Sequence, residues 1–125
     1  MFKFDSYLEL SLPQLEAGSR FTQVQRFKNG DVQVNCFGVE YAGFPRKIEA
    51  QFKDNELALL WILTGKQEED RVRQALIAAF GDPIYVSENW EAFRNWQVVL
   101  RKDKPEVLVS SPKKAMEHKA YILKN

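Results

Sequence analysis

Residues 57–63 read Leu-Ala-Leu-Leu-Trp-Ile-Leu, seven apolar residues in succession with no polar residue between them. A strand with one face in water would alternate apolar and polar residues, so an unbroken run predicts a strand covered on both faces. The preceding residues, 52–56, have the composition of a turn, and a strongly periodic segment follows the run. We therefore expect residues 57–63 to be the central strand of a sheet.

The periodic segment predicts one long helix over about 65–80, packed on one face of that sheet. Gly81 supplies a typical helix end, and Pro83 prevents the helix from continuing. The apolar stripe that would face the sheet consists of Val72, Ala75, Leu76, Ala79 and Phe80.

The remaining segments predict an α+β fold with a mainly antiparallel sheet of about six or seven strands. Asn29-Gly30 indicates a two-residue hairpin turn that pairs Phe27 with Val32. Short helices are expected near 12–17 and 112–119, and a short strand is expected over about 4–10. Residues 37–45 and 88–95 are interpreted as irregular connections. The length of 125 residues favours a single domain over 1–125.

Composition excludes several classes of function. The net charge of +1 provides no overall field for nucleic acid, so a nucleic-acid partner is not expected. No stretch approaches the ~20 apolar residues of a membrane span, and the first residues lack the apolar core of a signal peptide. A single cysteine rules out an internal disulfide. These features together predict a soluble, cytoplasmic protein.

No catalytic signature, cofactor motif or metal site emerges from the sequence. A glycine-rich phosphate loop is missing, and one cysteine with one histidine cannot make a zinc site of the usual kind. Cys36 alternates with apolar residues, so we expect a buried, inert thiol. His118 is expected on the solvated face of the last helix. The sequence therefore leans away from an enzyme.

Aromatic residues in the two irregular connections are the most distinctive feature. They either cover the core or, together with two arginines, form a partly apolar recognition surface at one end of the sheet. The first interpretation of function is a non-catalytic binding or protein-interaction domain, with a homodimer as one form. The alternative is a small-molecule-binding protein or enzyme whose site combines scattered carboxylates, arginines and aromatics. The candidate binding residues are Phe37, Tyr41, Phe44, Arg46, Tyr85, Trp90, Phe93 and Arg94.

Overall fold

A broad antiparallel sheet with a helix on each face is the framework of the protein. The computed structural model describes residues 21–42, 44–54 and 56–124. The predicted strand near 4–10 and helix near 12–17 lie outside these residues. The described strands are β1 (Phe21–Arg26), β2 (Val32–Tyr41), β3 (Phe44–Lys53), β4 (Glu56–Leu63), β5 (Tyr85–Val86), β6 (Trp90–Phe93), β7 (Val98–Arg101) and β8 (Glu106–Ser110). The described helices are α1 (Glu69–Phe80), which a 3-10 turn (Lys66–Glu68) precedes, and α2 (Pro112–Lys124).

The strand order is β1-β2-β3-β4-β8-β7-β6-β5, and every described pair is antiparallel. The α+β prediction is therefore confirmed. The predicted number of strands was too low, because the described residues alone form eight. Residues 37–45, interpreted as irregular, belong mostly to a long β2–β3 hairpin in which a bulge lies between Cys36 and Val39. Gly38, with φ +75°, lies in that bulge, where a positive φ favours glycine.

The central position of residues 57–63 is confirmed, since β4 lies between β3 and β8. Successive side chains of a strand point to opposite faces, so β4 contributes to two cores. Leu60 and Ile62 join the core that contains Leu76 of α1. Leu59 joins the core that contains Ile122 of α2. We call the two sides of the sheet the α1 face and the α2 face.

The helix predicted over about 65–80 is also confirmed, as the 3-10 turn followed by α1. Val72 and Leu76 are fully buried against the sheet. The predicted stripe needs one correction, because Ile77 packs on this core whereas Ala79 is exposed. The larger side chain takes the partly buried position at this end of the helix.

The last helix is longer than predicted, since α2 continues to Lys124 rather than ending near residue 119. Lys113 and Lys114 oppose the dipole at its start, but the Ser111 hydroxyl accepts a hydrogen bond from the backbone N–H of Lys114 at 3.3 Å. Burial of Ala115 and Ile122 then holds the helix against the sheet along its length. Neither α2 nor any other described helix is long and apolar enough to span a membrane.

The β1–β2 hairpin has a register one residue away from the predicted one. The backbone of Phe27 bonds to Asp31 at 2.9 Å and to Gly30 at 3.0 Å, which makes a three-residue loop. Gly30 takes φ +93°, as the last residue of such a loop requires. Val24 therefore lies opposite Val34, where the two-residue turn would have placed Gln25.

The segment 88–95, predicted as a polar loop, contains strand β6 and the start of the β6–β7 turn. Arg94, Asn95 and Trp96 all have positive φ, at +45°, +52° and +70°. Three such residues in succession are unusual without glycine. The buried Trp96 side chain anchors this turn, because it packs into the core of the α2 face. This turn, which reverses the chain, was not detected because it lacks glycine and proline.

Candidate functional site

A cavity of about 220 Å³ lies on the α2 face, between strands β6–β8 and the second half of α2. Alternation along β7 and β8 directs Val99, Arg101 and Leu108 to this face. Residues 118, 121 and 122 of α2 share one side of the helix and close the cavity from above. We call it the inner cavity; its lining residues are Trp90, Val99, Arg101, Leu108, His118, Tyr121 and Ile122.

A second cavity of about 230 Å³ adjoins it. We call this the outer cavity, and it is lined by Ser87, Glu88, Asn89, Trp90, Arg101, Asp103 and Tyr121. Trp90, Arg101 and Tyr121 belong to both linings, so the two cavities meet at these side chains. The inner walls are mostly apolar, whereas the outer walls are mostly polar. Together they form a two-compartment site.

Arg101 is the fixed charge at the junction of the two cavities. Its guanidinium lies 5.0 Å from the centre of the Trp90 ring, within cation–π range. Asp103 accepts hydrogen bonds from its Nε at 2.8 Å and its Nη2 at 3.2 Å, and these bonds raise the pKa of Arg101. Glu106 lies 3.7 Å away, where burial raises the pKa of its carboxyl although Arg101 opposes that rise. Arg101 is therefore held in place by carboxylates before any ligand arrives.

His118 is half-buried and lines the inner cavity, so the prediction of a solvated His118 was wrong. Helix α2 is rotated so that the side of residues 115, 118 and 122 faces the sheet. Burial lowers the pKa of His118, the nearby Lys114 lowers it further, and Glu117 partly opposes both. The imidazole is therefore neutral at pH 7 and offers the cavity an uncharged hydrogen-bonding group.

Ser110 contacts His118 in an arrangement that resembles a nucleophile and its general base. Its Oγ lies 3.3 Å from His118 Nδ1, a long distance for an O–H hydrogen bond. However, Ser110 is only 1% exposed and lies within β8 opposite Leu59. Among the described residues, no carboxylate bonds to the imidazole as an orienting third group. The contact therefore orients His118 and leaves the hydroxyl out of a substrate's reach.

The structure does not bring the eight predicted site residues together. Arg46 and Phe93 are buried on the α1 face, where Arg46 pairs with Glu68. Arg94 is exposed in the β6–β7 turn, 5.9 Å from the Phe80 ring. Trp90 lies at the opposite end of β6 and lines both cavities.

The other predicted aromatics are also dispersed. Phe37 is half-buried on β2, where the ammonium of Lys47 lies 5.6 Å from its ring centre. Tyr41 and Phe44 form the last backbone pair of the β2–β3 hairpin, at the opposite end of the sheet from the turn that contains Arg94. Tyr85 packs on Trp96 with ring centres 5.1 Å apart. Of the six predicted residues whose side chains the structure describes, only Trp90 lines the two-compartment site.

Sequence reasoning did not identify Arg101, His118 and Tyr121 as members of one site. Alternation along β7 and β8 was a usable signal, since it places Arg101 and Leu108 on one face. No sequence pattern shows where α2 crosses that face. Within the described part of the chain, no group of three or more His, Cys, Asp or Glu residues could hold a metal ion.

Comparisons with known proteins leave the site without a precedent. No protein-family model matches the chain, and no curated protein or solved structure matches it either. The two-compartment site itself therefore carries the functional inference.

Proposed function

We propose that the protein is a non-catalytic small-molecule-binding protein whose ligand places an apolar ring in the inner cavity. The observation that carries this proposal is an apolar cavity of about 220 Å³ with a neutral His118 in its wall. A mostly apolar site with a few fixed polar groups is typical of ligand binding. A cavity of about 150 Å³ is enough to admit benzene, so this one accommodates a single ring with a small substituent.

The polar groups of the site favour binding over reaction. Arg101 is already hydrogen-bonded to Asp103, so it can orient a ligand but is not an unpaired cation ready to stabilise a reaction's developing negative charge. His118 contacts only the buried Ser110 among the hydrogen-bond partners that the structure describes. The ligand would therefore be held by ring contacts and one hydrogen bond to the imidazole.

The test is a ligand-observed NMR titration with single-ring compounds, carried out on the wild-type protein and on a variant whose cavity is filled. Val99 is buried in the cavity wall, so Val99→Phe should weaken ring binding at least tenfold. Val99→Ile, which adds one methyl group, is the milder form of the same change. Val24→Phe, at an exposed position of β1 outside both cavities, is the matched control and should bind as the wild type does.

The proposal fails if no single-ring compound binds the wild-type protein in the millimolar range. It also fails if folded Val99→Phe binds as tightly as the wild type, because the ring would then lie elsewhere.

Protein interaction is a second candidate function, favoured by apolar residues on the outer side of α2. Met116 and Leu123 are exposed two turns apart on one side of the helix. We infer from them a homodimer formed through α2. Sedimentation equilibrium should show a dimer for the wild-type protein and a monomer for Met116→Lys with Leu123→Lys. At about 100 μM protein even a weak dimer would be populated, so a wild-type protein that is monomeric at this concentration would exclude this candidate function.

Cytoplasmic residence remains a prediction from the sequence. Cys36 is buried and is the single cysteine of the sequence, which suits a reducing compartment. Fractionation of cells that express the full chain would test the prediction directly.

A further inference from the structure

We propose that the ligand is a small organic amine, with its ring in the inner cavity and its ammonium group in the outer cavity beside Glu88. This inference rests on the proposed function, and it adds the charge and the orientation of the ligand. Two observations support it. The two cavities share lining residues, and the outer cavity contains a carboxylate that forms no ion pair with any residue that the structure describes.

The shared walls allow one molecule to occupy both cavities. Trp90, Arg101 and Tyr121 line each of them, so a ligand ring in the inner cavity would extend its substituent past these side chains. The substituent would then enter the outer cavity, whose wall contains polar Ser87, Asn89 and two carboxylates. A molecule with one apolar end and one polar end matches this arrangement.

The unpaired charge of the outer cavity is negative. Among the described residues its only lining cation is Arg101, which forms two hydrogen bonds with Asp103, so this pair is close to neutral. Glu88 is exposed and forms no ion pair with any residue that the structure describes. A carboxylate ligand would therefore meet like charge, and an ammonium ligand would meet opposite charge.

The nearest lysine does not cancel the charge of Glu88. The Lys102 ammonium donates to the backbone carbonyl of Ser87 at 2.6 Å and lies 3.3 Å from the buried carboxylate of Glu91. Its charge is therefore taken up by a carboxylate on the α1 face of the sheet. Glu88 remains available to a cation from solution.

The aromatic walls of the junction are compatible with an amine. The Arg101 guanidinium lies 5.0 Å from the centre of the Trp90 ring, and Asp103 offsets its charge. Tyr121, on the other side of the junction, offers a second aromatic ring to a ligand passing between the cavities. Aromatic faces attract ammonium groups and do not attract carboxylates.

The experiment compares three probes that share one ring: benzylamine, benzyl alcohol and benzoate. Titrations of the full chain followed by NMR at pH 7 should show benzylamine binding about fivefold more tightly than benzyl alcohol, with benzoate the weakest. Raising the salt concentration should weaken the binding of benzylamine and leave that of benzyl alcohol unchanged, because salt screens only the charged pair.

Glu88→Gln removes the proposed partner without touching a buried residue. We expect about threefold weaker binding of benzylamine and unchanged binding of benzyl alcohol. Asp82→Asn is the matched control, since it removes an exposed carboxylate outside both cavities and should leave both affinities unchanged.

The outcomes separate this inference from the proposed function. If benzyl alcohol or benzoate binds best, or if Glu88→Gln leaves benzylamine binding unchanged, the amine inference is overturned while ring binding stands. If none of the three probes binds the wild-type protein but another single-ring compound does, only the amine inference is overturned; if no single-ring compound binds, both are overturned.

Discussion

Glu91 is a buried carboxylate that contacts two cations. Its side chain is only 4% exposed and points to the α1 face from strand β6. Arg73 of α1 donates to both of its carboxylate oxygens, at distances between 2.6 and 3.0 Å. Lys102 adds a contact at 3.3 Å. Because these partners belong to a helix and to the end of β7, Glu91 ties α1 to the second half of the sheet.

Replacing Glu91 with glutamine should lower the free energy of unfolding by about 3–5 kcal/mol, since two partly buried cations lose their counter-charge. Urea unfolding at pH 7 would measure the change. Asp70→Asn is the control because Asp70 also binds Arg73, at 2.7 Å, but is 94% exposed. Its loss should be below about 1 kcal/mol. Equal losses in the two variants would contradict the structural role given to Glu91.

The lowered pKa of Glu91 predicts that the fold loses stability at acid pH. Burial raises the pKa of its carboxyl, but hydrogen bonds from Arg73 and Lys102 outweigh burial and hold the pKa below the ordinary value of 4.5. A lowered folded-state pKa gives stability that is complete above 4.5 and is lost as the pH falls through the folded-state pKa. Unfolding free energies measured from pH 5 downwards should therefore fall more steeply for the wild type than for Glu91→Gln. Parallel curves would count against the prediction.

The lowered pKa of His118 predicts a second loss of stability, at a higher pH than the one for Glu91. The pKa of the folded-state imidazole is lower than its ordinary value of 6.5, so the unfolded chain takes up the proton first. Stability should therefore be complete above pH 6.5 and decline as the pH falls below it. His118→Gln should remove this decline in urea unfolding between pH 7.5 and 5.5, about one unit on either side of the ordinary histidine pKa. NMR titration of the single imidazole checks the direction independently.

At the scale of elements, the end of α1 depends on a backbone conformation that only glycine adopts readily. Gly81 has φ +82° and ψ −170°, and its N–H bonds to the Ile77 carbonyl at 2.8 Å. Gly81→Ala should lower stability by about 1–3 kcal/mol through backbone strain, although nothing crowds the added methyl group. Gly65→Ala is the matched control, with φ −102° and a nearest contact of 3.6 Å. Thermal unfolding should show a clear loss for the first variant only.

The elements that the sequence predicted correctly are those whose signal is local. The apolar run of β4 and the periodic stripe of α1 each carry their own pattern, and both were placed within a few residues. The part of the β2–β3 hairpin that lies in residues 37–45 was missed because the bulge at Gly38 interrupts the alternation that marks a strand. Helix α2 was predicted too short because burial of Ala115 and Ile122 against the sheet, rather than its first turn, sustains it.

The candidate site could not be predicted, because its lining comes from segments that are far apart in the sequence, among them β6, β7, β8 and α2. Trp90 comes from β6, Arg101 from the end of β7, and His118 from α2. The contacts that unite them depend on the order of strands β6, β7 and β8 and on the path of α2 over them. Of these three residues, only Trp90 was predicted to bind a ligand, because it belongs to an aromatic segment that was interpreted as a loop. His118 was noted as the single histidine but was predicted to face solvent.

At the scale of the whole molecule, one row of apolar residues joins the two halves of the sheet. Leu60 lies opposite Ala50 on one side and Val109 on the other. The same row continues outward to Val34 on β2 and to Phe93 on β6. All five side chains are fully buried in the core of the α1 face. The two four-stranded halves therefore share one core across the β4–β8 junction.

A shared core predicts that the protein unfolds as a single cooperative unit. Tryptophan fluorescence reports on β4, β6 and the β6–β7 turn, whereas far-UV circular dichroism reports on the whole sheet. The two signals should give the same urea midpoint in the wild type. Leu60→Ala should lower both midpoints together, with a loss of about 2–5 kcal/mol, because the cavity opens at the centre of the shared row. A variant in which the fluorescence midpoint shifts alone would show that the two halves unfold separately, which would also overturn the expectation of one domain. If both urea midpoints fall together, the substitution at the β4–β8 junction destabilises both halves of the sheet.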